Sequence, residues 1–358
     1  MVRCLPGLQK TIGQNPHMKL FLPQAKRTLF TLRVLIFASG FVIAGVFYFC
    51  LRYLNAPINR LQPGAVFEVE SGNALSQVAN KLADRGVLLY PELFVTLARL
   101  RGVANSIQGG EYELHSGITP VQLLDKMVRG DNVQYRITLV EGWTFNQVLD
   151  EFKSSEKLTL KLLNTDRAEI ASALGLENSN PEGMLFPDTY FYSKGTTDLE
   201  LLRTANMRLR EILSSAWSSR LGVLPYENAY QALTMASIIE KESALGSERG
   251  HIAGVFVRRL EQRMRLQSDP TVIYGIGESF NGDLRRADLG MESPYNTYNI
   301  NGIPPTPIAL AGLESIMASL NPLQSDYLYF VGKGDGSHHF SSTLEEHNVA
   351  VTRYQKTR

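Results

Sequence analysis

Between Val34 and Leu51 the chain reads VLIFASGFVIAGVFYFCL without a single charge. Crossing the hydrocarbon core of a bilayer takes about 20 apolar residues in a helix. Leu29 to Leu32 and Tyr53 to Leu54 extend the run on either side, so a transmembrane helix is expected over residues 28–54. A cleaved signal peptide fits less well, because its apolar core would be shorter and its basic leader more compact. From Met1 to Phe67 there is no acidic residue, while Arg3, Lys10, Lys19, Lys26, Arg27 and Arg33 accumulate before the span. Basic residues stay on the cytoplasmic side. A cytoplasmic basic tail (1–27) and a single pass through the cytoplasmic (inner) membrane follow, with everything after Leu54 periplasmic or extracellular.

Composition narrows the exported part. At 358 residues there is length for two or three small domains. A formal net charge of +1 gives no electrostatic bid for nucleic acid. The two cysteines are Cys4 and Cys50, in the tail and inside the span, so the exported chain has neither a disulfide nor a cysteine metal site. No cofactor is expected.

After a polar, Pro-containing linker, Asn55 to Gly64, one pattern recurs loosely: VESGNALSQVANKL from Val69, YELHSGITPVQLLDKM from Tyr112, and LVEGWTFNQVLDEF from Leu139. Each is a short extended run, a Gly turn, and an amphipathic helix opened by a small polar residue. Pro91 to Arg101 reads as a further helix with Pro in its first turn. The units of residues 65–135 resemble LysM-type modules, which bind cell-wall glycan; a plain spacer is the alternative.

Residues 136–358 read as a mixed α+β domain. A weakly patterned helical region from Ser154 to Asn178 leads to an aromatic cluster, Phe186, Tyr190, Phe191 and Tyr192, suited to an edge strand. Helices are expected over Leu201–Trp217, Tyr226–Gly246 and His251–Met264. Asp269-Pro270 and Thr306-Pro307 are read as cap-then-Pro starts, the second opening a helix that runs to Leu320. Tyr327 to Val331 and His338 to Ser342 flank GKGDG as a hairpin, and Thr343 with Glu346 forms a capping box. The fold class is therefore α+β: one N-terminal transmembrane helix, a LysM-like module, and a mixed α+β catalytic domain.

Within that domain Gln231 to Gly246, QALTMASIIEKESALG, places Met235, Ile238, Ile239 and Glu242 on one helical face. Glu240 falls on roughly the opposite face and is expected to be a surface charge. A carboxyl facing a core is costly to ionise and holds its proton near neutral pH. That is the property of a general acid. Two other carboxyls compete: Asp269, also explained as a helix cap, and Glu182, also explained as a solvated turn residue. A buried ion pair of Glu242 with Arg258 or Arg259 is the structural alternative. The six histidines form no HExxH pairing, His338 and His339 face opposite sides of a strand, and no GxSxG elbow occurs.

MASIIEKES with LQSDPTVIYG, YNTYNINGIPPTPIA, FPDTY and YLYFVGKGDGSHHFS together resemble the MltG (YceG-like) endolytic murein transglycosylases. The likeness runs in order from the span to near the C-terminus; the basic tail is longer than the family needs. It implies cleavage of the β-1,4 bond between N-acetylmuramic acid and N-acetylglucosamine in nascent glycan strands, leaving 1,6-anhydro ends. The family's catalytic glutamate precedes Ser or Thr, here Glu242 before Ser243. Gln267, Tyr295, Asn296 and Tyr298 are expected to join Ser243, Asp269 and Glu182 along the substrate, since amides and phenols suit sugar hydroxyls and N-acetyl groups. Peptidoglycan strands, the membrane and cell-wall synthesis proteins are the partners implied. A hydrolytic muramidase and a non-catalytic wall-binding or scaffold protein are the alternatives.

Overall fold

The computed structural model describes residues 21–59, 64–70 and 72–356. Arg3, Lys10, Lys19 and Cys4 of the basic tail lie outside the described residues. Two compact units emerge, one taking Gly72–Gln108 and Tyr112–Asp131 with the chain up to Phe67, the other essentially Asn132 onward.

The first unit begins with α1 (Phe21–Leu54), whose segment Leu29–Leu54 is long and apolar enough to cross a membrane. The short polar link that follows is not a free tether. The backbones of Ile58 and Ile118 hydrogen-bond at 2.8 Å, Leu54 and Ile58 are buried, and Tyr53 Oη accepts from the N–H groups of Leu89 and Tyr90 at 3.0 and 3.1 Å. Beyond the link run β1 (Ala65–Val69), α2 (Leu75–Asp84), α3 (Pro91–Leu100), β2 (Gly110–Leu114) and α4 (Pro120–Arg129), with β1 and β2 paired. Period-four apolar residues make each helix one-sided: Leu75, Val78, Ala79 and Leu82 of α2 are buried, as are Leu123, Leu124 and Met127 of α4. Thr119 caps α4 reciprocally with Gln122.

The second unit continues through β3 (Gln134–Thr138), α5 (Phe145–Ser154), α6 (Arg167–Ala173) and β4 (Thr189–Ser193). Strands β3 and β4 pair antiparallel, Tyr135 opposite Tyr192 and Ile137 opposite Tyr190. Of the aromatic cluster, Phe186, Tyr190 and Tyr192 go into the core and Phe191 stays outside. The helical reading of 154–178 shrinks to α6, because Asp166 is the one residue there whose side chain caps a helix start.

Next come α7 (Asp198–Ser218), α8 (Ala229–Glu242), α9 (Gly246–Glu261), α10 (Asp269–Ile276) and α11 (Leu313–Leu320), then the hairpin β5 (Tyr329–Gly332) and β6 (His338–Ser341), and α12 (Leu344–Val351). Helix α8 is the axis of this core. Every residue from Ala232 to Ile239 is buried, against Leu209 of α7, Phe256 of α9 and Ile316 of α11. Burying side chains the size of Met235, Ile238 and Ile239 stabilises the fold by about 1.5–3 kcal/mol each.

Three expectations are corrected here. The helix expected to run to Gly246 stops at Glu242, because Ser243 turns extended and its hydroxyl accepts from Leu245 N–H at 3.0 Å. The helix expected from Thr306 starts only at Leu313. Residues 306–312 are held in an irregular, bent path by other parts of the core, Ile308 N–H donating to Ser237 Oγ at 3.0 Å and Leu310 N–H to Trp143 O at 2.8 Å. Glu240 is no surface charge. Its side chain is 4% exposed and pairs with Arg249 at 2.8 Å, its other oxygen accepting from Gly312 N–H at 2.9 Å. At this turn of α8 it is Lys241, not Glu240, that faces solvent.

Candidate active site

Glu242 is the last residue of α8, so its carboxyl projects beyond the buried barrel of the helix into a cavity of about 480 Å³. The walls come from five places: Arg259 of α9, the stretch before α10 with Leu266, Gln267 and Asp269, Tyr298, the β5–β6 hairpin with His338, and α12 with His347.

Short polar contacts fix the parts. Ser268 Oγ donates to Glu242 Oε1 at 2.5 Å. Ser268 is itself held by buried hydroxyls: its N–H donates to Thr297 Oγ1 at 2.9 Å, and Thr271 Oγ1 donates to Ser268 O at 2.7 Å. The preceding Gln267 sits at φ +53°, as does Arg263 at +57°, a conformation non-glycine residues adopt only at some cost. Arg259 spends its hydrogen bonds on backbone, donating to Leu328 O at 2.7 Å and Leu266 O at 2.8 Å, and so ties the hairpin to the loop before α10. Arg258 turns away to Tyr327 O. Among the described residues Glu242 makes no ion pair, so the pairing with Arg258 or Arg259 is not formed.

The electrostatics follow from this layout. Burial pushes the Glu242 carboxyl up to about 7; the Ser268 hydroxyl opposes that, Asp269 adds to it, and the Arg259 charge opposes it again. The carbonyl end of α8, carrying partial negative charge, also favours the protonated form. Asp269 receives the Tyr298 hydroxyl at 2.6 Å, and burial with that bond raises the phenol's pKa. Asp269 is the first residue of α10 rather than its cap; Ser268 occupies the cap position.

Of the residues expected along the substrate, Gln267, Asp269 and Tyr298 share the cavity with Glu242. Four do not. Ser243 is buried in its own turn with Leu245. Tyr295 packs its ring on Tyr274 at 4.8 Å and bonds Thr306 Oγ1 at 2.9 Å. Asn296 is fully buried, holding Leu289 O and Met291 O at 3.1 and 2.7 Å. Glu182 belongs to a separate cavity of about 840 Å³, with Arg167, Lys241 and Tyr274. It is not a solvated turn residue: its side chain is fully buried, accepts from Phe145 N–H at 2.8 Å and Tyr274 Oη at 3.1 Å, and lies 3.6 Å from Arg167. Burial pushes this carboxyl up to about 7 as well. The loop is drawn inward because Gly183, at φ +70°, lies against Pro307 with no room for a Cβ.

Sequence reasoning missed Ser268 as the partner of Glu242, and His338 and His347 as wall residues. A polar residue directly before Asp269-Pro270 was the signal for the first. Nothing in the periodicity of α12 marks the last.

Fold and site together define an α+β protein with one N-terminal apolar helix and a groove built around a single proton-holding carboxyl. The chain belongs to the YceG-like family, whose model matches residues 67–353. It is 32% identical over 336 residues to the endolytic murein transglycosylase of Bacillus subtilis (strain 168), covering 87% of this chain and 91% of that one. Similarity to the endolytic murein transglycosylase of Streptococcus pneumoniae D39 is 28% over 324 residues, 80% of this chain and 57% of the relative. The crystal structure of a YceG-like protein from Listeria monocytogenes superposes with a TM-score of 0.50 at 30% identity, over 81% of this chain and 100% of that one.

Proposed function

We propose that this chain is an endolytic peptidoglycan lytic transglycosylase in which Glu242 acts first as acid and then as base. Protonated Glu242 gives its proton to the oxygen of the β-1,4 bond between N-acetylmuramic acid and N-acetylglucosamine, and that bond breaks. The resulting carboxylate takes the proton of the muramic 6-hydroxyl as its oxygen closes on the anomeric carbon. A 1,6-anhydro end forms, no water is consumed, and one residue carries the proton both ways.

The observation that carries this reading is the setting of Glu242: a carboxyl raised to about 7, bonded to a hydroxyl rather than a cation, in the wall of a groove. Glu242→Gln should abolish strand cleavage with little change in melting temperature, and retained cleavage would sink the assignment. Asp269 shares the cavity and could serve a hydrolase as the second carboxylate. Mass spectrometry of digested peptidoglycan separates the two: anhydro ends support the transglycosylase, reducing muramic ends the muramidase. Gln267 and Tyr298 offer the amide and phenol for the sugar chain.

The span orients the chain with residues 1–27 in the cytoplasm and the catalytic unit on the periplasmic or extracellular side, where nascent strands lie. Cell-wall synthesis proteins are the partners this position suggests. The order β1, α2, α3, β2 fits the LysM-like reading of the first unit.

A further inference from the structure

The hairpin histidine His338 carries an unused hydrogen-bonding atom into the groove. Its backbone N–H donates to Glu248 Oε1 at 3.0 Å and its ring Nδ1 lies 2.7 Å from Glu248 Oε2. A carboxylate oxygen at that distance accepts from a proton on Nδ1. That leaves Nε2, which among the described residues has no hydrogen-bond partner. The ring stands edge-on to Phe330 at 5.4 Å and lines the same cavity as Glu242. Its neighbour His339 points the other way, onto Tyr354. Anchoring the hairpin needs only the backbone and Nδ1; the groove-facing nitrogen is surplus to it.

We propose that His338, oriented by Glu248, is a substrate-binding residue whose Nε2 hydrogen-bonds a hydroxyl of the glycan strand beside the bond that Glu242 cleaves. The proposal rests on the transglycosylase reading for its ligand, a polysaccharide hydroxyl. A sugar hydroxyl both donates and accepts, and the Phe330 ring beside the imidazole offers it an apolar flank.

Asparagine and glutamine separate the two ends of the ring. His338→Asn keeps a donor at the Nδ1 position for Glu248 and loses the distal polar atom; His338→Gln keeps a polar atom at the distal position. Binding of purified glycan strands stripped of stem peptides is measured on the full chain carrying Glu242→Gln, so that nothing is cut during the titration. His338→Asn should weaken binding about threefold to tenfold, the worth of one neutral hydrogen bond, with an unchanged melting temperature, and His338→Gln should recover part of it. In the chain with Glu242 intact, the same Asn change should raise KM and leave kcat nearly alone. Unchanged binding by the Asn variant overturns the proposal, as does a loss seen only with strands that retain stem peptides. Should the Asn variant not fold, the Gln variant decides: near-native affinity supports the proposal, and a tenfold loss in a folded protein overturns it. Failure of the transglycosylase reading shows elsewhere, as cleavage by Glu242→Gln or the absence of anhydro ends.

Discussion

Ser268→Ala is the sharpest test of how this site holds its proton. The serine hydroxyl donates to Glu242 Oε1 at 2.5 Å, a bond that favours the ionised carboxyl. Hydrogen bonds to charged groups contribute about 1.5–3 kcal/mol. At about 1.4 kcal/mol per tenfold change in a proton affinity, its loss moves the Glu242 pKa upward from about 7 by about one to two pH units. Asp269 and Arg259, which act in opposite senses, are untouched. The fold should tolerate the change, since Ser268 stands at the cap position of α10 without a side-chain capping bond. The reaction begins from the protonated acid, so kcat/KM falls as pH rises through that pKa, and the falling limb should move to higher pH in the variant. Release of anhydro-ended fragments from glycan strands, followed from pH 5 to 10, reads it directly. A limb that stays put, or moves to lower pH, would refute the view that burial and this hydroxyl together set the acid.

Glu182 gives a stability test with its own sign. Its carboxyl is raised from 4.5 to about 7 in the fold, so the folded state binds the extra proton. Stability is therefore highest below about pH 4.5 and falls as pH rises through 7, by about 3 kcal/mol for this group. Glu182→Gln should flatten that part of the profile in urea melts; an unchanged slope contradicts the assignment. Glu240→Ala strips the buried Arg249 of its closest partner, and breaking such a pair costs about 3–5 kcal/mol. The lower end is expected, because Glu314 remains at 3.1 Å and Glu141 at 3.6 Å. Cleavage per folded molecule should survive, and its loss at full folding would give Glu240 a role beyond anchoring.

What the sequence revealed follows the range of the forces involved. The apolar run, the capping box Thr343–Glu346, the GKGDG hairpin and the β-turn-α units depend on neighbours a few residues apart, and the structure has all of them. The face of α8 carrying Glu242 was legible for the same reason. Its opposite face was not, since enclosure of Glu240 comes from α9 and the loop at Gly312, 72 residues away. The non-helical path of 306–312 depends likewise on Ser237 and Trp143. Ser268 carried a local signal, a polar residue before Asp-Pro, but its aim at Glu242 depends on the hydroxyl cluster with Thr271 and Thr297.

The junction at Tyr53 and Ile58 has a mechanical consequence. The apolar span of α1, Leu29–Leu54, has 26 residues, about 39 Å of helix against a hydrocarbon layer of about 30 Å. An overlong helix in a bilayer leans. With Tyr53 of α1 bonded to Leu89 and Tyr90, and Ile58 just beyond the helix bonded to Ile118, that lean is carried into the unit itself. Lipid thickness would then set the angle at which its surfaces meet the wall, a variable that a flexible stalk would erase.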